Sequence, residues 1–144
     1  MMDLVRVTNP FEMFANEKII RSLFQQYFEK KYIDHDETEE EAWQRAVTKV
    51  ISPDYYFYLI RGDNEFVGFC IGYPWKFPYS VVFWIEKLHI PGRGLEFAET
   101  LKLVNQVLGI DEFWGETPDR VFNMYERKLK KSIVTRIKVT RVKL

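Results

Sequence analysis

The sequence predicts a mixed α/β protein in which one central sheet carries helices on both faces. Three observations predict it. Segments of strand and helix character follow one another as β-α-α-β-β-β-α-β-α-β, so antiparallel strands come first and strand–helix–strand crossovers later. The run "YSVVFWIEKLHI" is long and largely apolar but for Glu86 and Lys87, the pattern of a strand covered on both sides. Two further strand-like runs are joined by "RGDNE", whose Gly-Asp-Asn content is a hairpin signal.

Each element has its own local reason. "LVRVTNP" alternates briefly and stops at Asn9-Pro10, which predicts a first strand. In "NEKIIRSLFQQYFEKKY", Ile19, Ile20, Leu23, Phe24, Tyr27 and Phe28 fall at helical spacing, with Asn16 as the expected N-cap. Thr38 and Glu41 have the spacing of a capping box and open the helix "EEEAWQRAVTKVI", which Ser52-Pro53 ends. The acidic run Glu39–Glu41 therefore reads as a helix start, and the "RGD" at 61–63 as turn chemistry. After the long third run, a helix is expected from about Leu95 to Leu108, a break at Gly109 and a short strand in "DEFWGET". Asp119 then caps a helix through "RVFNMYERKLKK", and "IVTRIKVTRVKL" closes the chain as a strand. No repeat, low-complexity stretch or linker divides the 144 residues, so a single domain over 1–144 is expected.

Composition narrows the class. The chain is 47% hydrophobic and 29% charged, as ordinary globular proteins are. Its 17% aromatic content points to a core of large rings or a surface that uses them. A lone cysteine, Cys70, and two distant histidines exclude an internal disulfide and a metal cluster built on them. No window has the apolar length of a membrane span and no signal-peptide pattern opens the sequence, so the expectation is a cytoplasmic protein without a membrane role. Net charge is zero, yet Arg127, Lys128, Lys130, Lys131, Arg136, Lys138, Arg141 and Lys143 crowd the last 18 residues without an acid among them. Such a tail reads either as cations suited to a helix C-terminus and a solvated strand face, or as a contact surface for an acidic or protein partner. Nucleic acid is not expected, because no nucleic-acid-binding motif accompanies it.

The stretch "KLHIPGRGLEFAETL" carries the chemistry that can be read. Glycines after a strand let an anion approach the backbone, and the amides and dipole at a helix start attract negative charge. Glu96 opposes this. A carboxylate about 5 Å from a phosphate charge at an effective dielectric near 20 repels it by roughly 3 kcal/mol, much less if it swings into water. The same acid in a first helical turn stabilises the unliganded helix.

The element order, with "IEKLHIPGRGLEFAETL", "EFWGET" and "RVFNMYERKL", resembles the GNAT superfamily of acyl-coenzyme A-dependent N-acetyltransferases over most of the chain. Leu88-His89-Ile90 matches the family's central strand end, and Arg93-Gly94-Leu95-Glu96-Phe97-Ala98 matches its Gln/Arg-x-x-Gly-x-Gly/Ala loop except at Glu96. Tyr125-Glu126-Arg127-Lys128-Leu129 matches its Tyr-Glu-x-x-Leu. The resemblance implies a mostly antiparallel sheet of about six to seven strands with helices on both faces. It also implies transfer of acetyl from acetyl-CoA to an amine of a small molecule or protein. Leu88 and Ile90 would meet the pantetheine arm through their backbones, and Arg93, Gly94, Leu95 and Ala98 would hold the pyrophosphate. Tyr125 would protonate the departing thiolate.

Glu86, an acid within an apolar strand, is the candidate general base, and its alternative is a carboxylate paired with a lysine or arginine. His89 resembles a family histidine without catalytic duty. The aromatic hairpin "YPWKFPYS" at 73–80 and Trp84 could cradle an acceptor or bury a protein partner. Glu96, the short Pro91-Gly92-Arg93 connection and Thr117-Pro118-Asp119 in place of a family asparagine favour a second reading. On it the chain is a catalytically inactive GNAT-fold binding or assembly protein, such as a phage virion-associated component.

Overall fold

A computed structural model of the chain describes residues 2–31, 33, 35–90, 94–116, 123 and 127. Five strands form one sheet in chain order: β1 (Met2–Val7), β2 (Tyr56–Gly62), β3 (Glu65–Phe77), β4 (Ser80–His89) and β5 (Phe113–Gly115). The first three junctions are antiparallel and the last, β4 with β5, is parallel. That parallel step follows from the crossover helix α4 (Gly94–Leu108), as the alternating order predicts. The described strands number one fewer than the smallest expected count. Of the helix expected from Asp119 only Asn123 and Arg127 are described, both helical, and the closing strand "IVTRIKVTRVKL" lies outside the described residues.

Before β2 run three helices, α1 (Pro10–Ala15), α2 (Glu17–Phe28) and α3 (Glu39–Lys49). Helix α1 is an addition to the sequence reading, which took Asn9-Pro10 only as a strand stop. Asn9 is its N-cap: the side chain accepts from the Glu12 amide at 3.0 Å, and Pro10 fills the first helical position. Asn16 does sit at the start of α2, but its side chain makes no capping bond there. It donates back to the Glu12 carbonyl at 2.9 Å, because Asn16 also closes α1. The Thr38–Glu41 capping box forms reciprocally, at 3.1 and 3.2 Å. The β2–β3 hairpin turns on Asp63 and Asn64, both left-handed at φ 51° and 66°, the geometry of a two-residue type I′ turn. Gly109, at φ 68°, ends α4, and Asn105 Nδ2 holds the exit by donating to the Ile110 carbonyl at 3.0 Å.

The sheet separates two cores. On one face Phe24 of α2 packs among Phe57 and Phe69, with ring centroids 6.1 and 4.9 Å away, and Trp43 of α3 is 2% exposed. On the other, Val104 of α4 joins Tyr58, Cys70 and Phe83, flanked by Ile85, Leu88 and Phe113. Helices on both faces are thus present, and the high aromatic content goes first into packing.

Candidate active site

Strand β4 is out of step with β3 by one residue. Ile71 pairs with Lys87 and Gly72 with Ile85, so Glu86 has no partner across the ladder: it is the extra residue of a β-bulge. The bulge changes the side-chain alternation. Ile85 and Leu88 pack in the α4 core, whereas both Glu86 and Lys87 turn to the opposite face and meet side chains from around α3. Arg45 of α3 pairs with the Glu86 carboxylate through Oε1. It also reaches Glu37, from the segment before α3, at 3.2 Å. Lys87 Nζ lies 2.5 Å from Glu37 and 4.0 Å from Glu86 Oε2. Two carboxylates and two cations therefore share one half-buried cluster. Glu86 Oε2 is the oxygen left buried without a hydrogen bond.

The Tyr55 and Tyr73 phenols border the cluster. Burial first and the Glu86 carboxylate second push both above the ordinary tyrosine value, and both are held as neutral donors. His89, 4% exposed, faces α2 with Nε2 3.0 Å from the Gln26 Oε1. Burial, with Lys30 next, pulls it down to about 4, which suits a structural imidazole and not a proton carrier at neutral pH.

That depression has a stability consequence. An unfolded histidine binds a proton near pH 6.5, the native one only near 4, so stability is full above about 6.5 and is lost as pH falls toward 4. By pH 5 the loss should reach about 2 kcal/mol. Urea unfolding of the parent and of His89→Gln at pH 7.5 and pH 5 should show that slope only in the parent. Equal slopes would rule this assignment out.

The second feature is where β4 leaves β5. The two pair over Phe83–Ile85 with Phe113–Gly115, with the Phe83 amide also donating to the Glu112 carbonyl at 2.9 Å. Among the described residues the pairing ends at Ile85, the residue before the bulge. Leu88 and Ile90 follow beyond that point, and α4 opens at Gly94. A strand edge that no described strand covers, leading toward a helix start, presents peptide groups and then amides, the partners that a diamide arm ending in a pyrophosphate requires. Acetyl-CoA has that form, and these residues fit it. Gly94, Leu95 and Ala98 fall in the first turns of α4. Arg93 and Tyr125 lie outside the described residues, as does the basic tail after Arg127.

The third feature is aromatic. Tyr73, Trp75 and Phe77 of β3, Trp84 of β4 and Trp114 of β5 share the sheet face that carries Glu86. Their rings pack as a trio and a pair, with Tyr73–Trp75 and Trp75–Trp84 centroids at 6.4 and 6.0 Å and Phe77–Trp114 at 5.3 Å. Sequence reasoning marked Trp84 and the 73–80 hairpin with Trp75, Phe77 and Tyr79; Tyr79 stands fully exposed in the β3–β4 turn, and Trp114 was missed as a member of this surface. The expected alternative for Glu86, a carboxylate paired with a lysine or arginine, is what the structure shows with Arg45, though the sequence singled out neither Arg45 nor Glu37, which shares the two cations. The only signal in the sequence was an adjacent Glu-Lys pair inside an apolar strand.

No family profile matches the chain, and no curated protein matches its sequence. Solved structures do match along its whole length. A possible acetyltransferase from Clostridium difficile superposes with a TM-score of 0.71 at 6% identity, covering 100% of this chain and 98% of the other. An aminoglycoside antibiotic 6'-N-acetyltransferase from Acinetobacter baumannii gives 0.65 at 11% identity, over 100% and 99%. A predicted acetyltransferase from Clostridium acetobutylicum, solved with acetyl-CoA, gives 0.59 at 10% identity, over 97% and 96%. The chain has the fold of the GNAT N-acetyltransferases. Its structural neighbours are acetyltransferases, and the resemblance in "KLHIPGRGLEFAETL" agrees with them.

Proposed function

We propose that this protein is an N-acetyltransferase that moves acetyl from acetyl-CoA to an amine of a small molecule or protein. The observation that supports the reading is that the described β4–β5 pairing ends at Ile85, with the bulged Glu86 next along the strand. When bound, acetyl-CoA supplies an activated thioester. The backbone groups of Leu88 and Ile90 orient the arm along the strand edge. Arg93 and the first amides of α4, at Gly94, Leu95 and Ala98, meet the pyrophosphate. Glu86 takes the proton that the acceptor ammonium must lose, through a bridging water, because Arg45 already occupies its Oε1. Its second oxygen, Oε2, is buried and without a hydrogen bond, and that water meets the part of the side chain left exposed, 19% of it. Tyr125 returns a proton to the departing sulfur.

A second reading, the inactive binding protein, draws on the same Arg45 pairing and on Glu96 in the first turn of α4. Calorimetry separates the two. The transferase reading expects saturable binding of acetyl-CoA with a dissociation constant below about 1 mM. Absence of heat at millimolar ligand would leave the inactive reading standing.

A further inference from the structure

We infer that the acceptor is a primary monoamine carried on an aromatic or similarly flat apolar group, and that the five-ring surface beside Glu86 is its binding shelf. This rests on the transferase reading and deepens it.

The rings are placed as a floor. Trp75 is 48% and Phe77 38% exposed, and Tyr73, Trp84 and Trp114 are half-buried, yet Val82 on the same face is only 1% exposed. Side chains that shield the sheet while keeping their own faces open offer stacking area to a flat ligand. The floor runs from the β3–β4 turn toward the bulge, where Tyr73 stands close enough to Glu86 to sense its charge. A ligand lying along it would bring its amine to the carboxylate. Ring faces also attract an ammonium directly.

The charge of the cluster argues for a single amine. Glu37 and Glu86 are already matched by Arg45 and Lys87, through contacts of 3.2 Å or less for three of the four pairs. A polycation would have to displace these cations to find partners, and a like charge brought near them is disfavoured. One ammonium with an apolar body needs only the half-buried Glu86 carboxylate and the rings.

Binding of phenethylamine and of kanamycin to the full-length chain, measured by calorimetry with and without acetyl-CoA, tests the inference. Phenethylamine is expected to bind at least tenfold more tightly than kanamycin, and Trp75→Ala to weaken it at least tenfold while kanamycin changes less than threefold. Trp75 is half exposed, so this variant keeps its fold, and its circular dichroism should match the parent's. Kanamycin binding as tightly as phenethylamine, or no saturable phenethylamine binding, would overturn it, as would an unchanged affinity in Trp75→Ala. The acetyl-CoA titration alone reports on the transferase reading, so the two can fail separately.

Discussion

Glu86→Gln should lower kcat for acetyl transfer by about 10²–10³-fold, within the usual range for removing a positioned general base. Glutamine keeps the shape of the side chain and one oxygen for Arg45, so KM for acetyl-CoA should change little. The variant also leaves Glu37 between Arg45 and Lys87 at 3.2 and 2.5 Å, and the cluster retains an acid. Thermal melting in parallel distinguishes lost chemistry from lost structure. A kcat within threefold of the parent, in a folded variant, would remove Glu86 from the proton path and return it to a purely structural pairing.

Gly72→Ala should be a strongly damaging substitution in the sheet. A β-carbon there would lie 2.4 Å from Phe83 Cε1 and 2.5 Å from the Trp84 carbonyl oxygen. Neither neighbour can withdraw easily: Phe83 is fully buried between Tyr56 and Phe113, and the carbonyl belongs to the paired backbone of β4. Overpacking of this kind costs about 2–3 kcal/mol. For a chain of this length that lowers Tm by roughly 6–10 °C. Gly62→Ala is the matched control, because its added carbon finds nothing nearer than Val67 at 3.6 Å. Its Tm should stay close to the parent's. If both variants melted alike, close packing at Gly72 would not be what holds β3 to β4. Because Gly72 faces the residue before the bulge, the alanine variant should also lose activity at temperatures where it is still folded.

Much of this fold was legible because its signals are local. Capping by Thr38 and Glu41, the Asp63-Asn64 turn, the Gly109 break and the apolar periodicity of α2 each reside within a few residues of sequence. Helix α1 was missed for an equally local reason. At six residues it is too short to develop a periodic face, and its cap, Asn9-Pro10, serves as well to stop a strand. The site was harder to read. Glu86 stood out as an acid in an apolar run, but nothing near it announces that Arg45, 41 positions earlier, would be its partner. Nor does sequence reveal a bulge, which is a property of two strands and not of one. The shelf is similar: Trp114 meets Phe77 only because the α4 crossover returns the chain to the far side of β4.

That single unpaired position makes β4 tolerant of its own shortening. Excising Glu86 would restore even alternation and leave Ile85 opposite Gly72 and Lys87 opposite Ile71, as they already stand. Leu88 would stay in the aliphatic layer beneath α4 and His89 beside Gln26. In this strand a one-codon deletion would remove the acid that Arg45 holds and spare the sidedness of everything downstream.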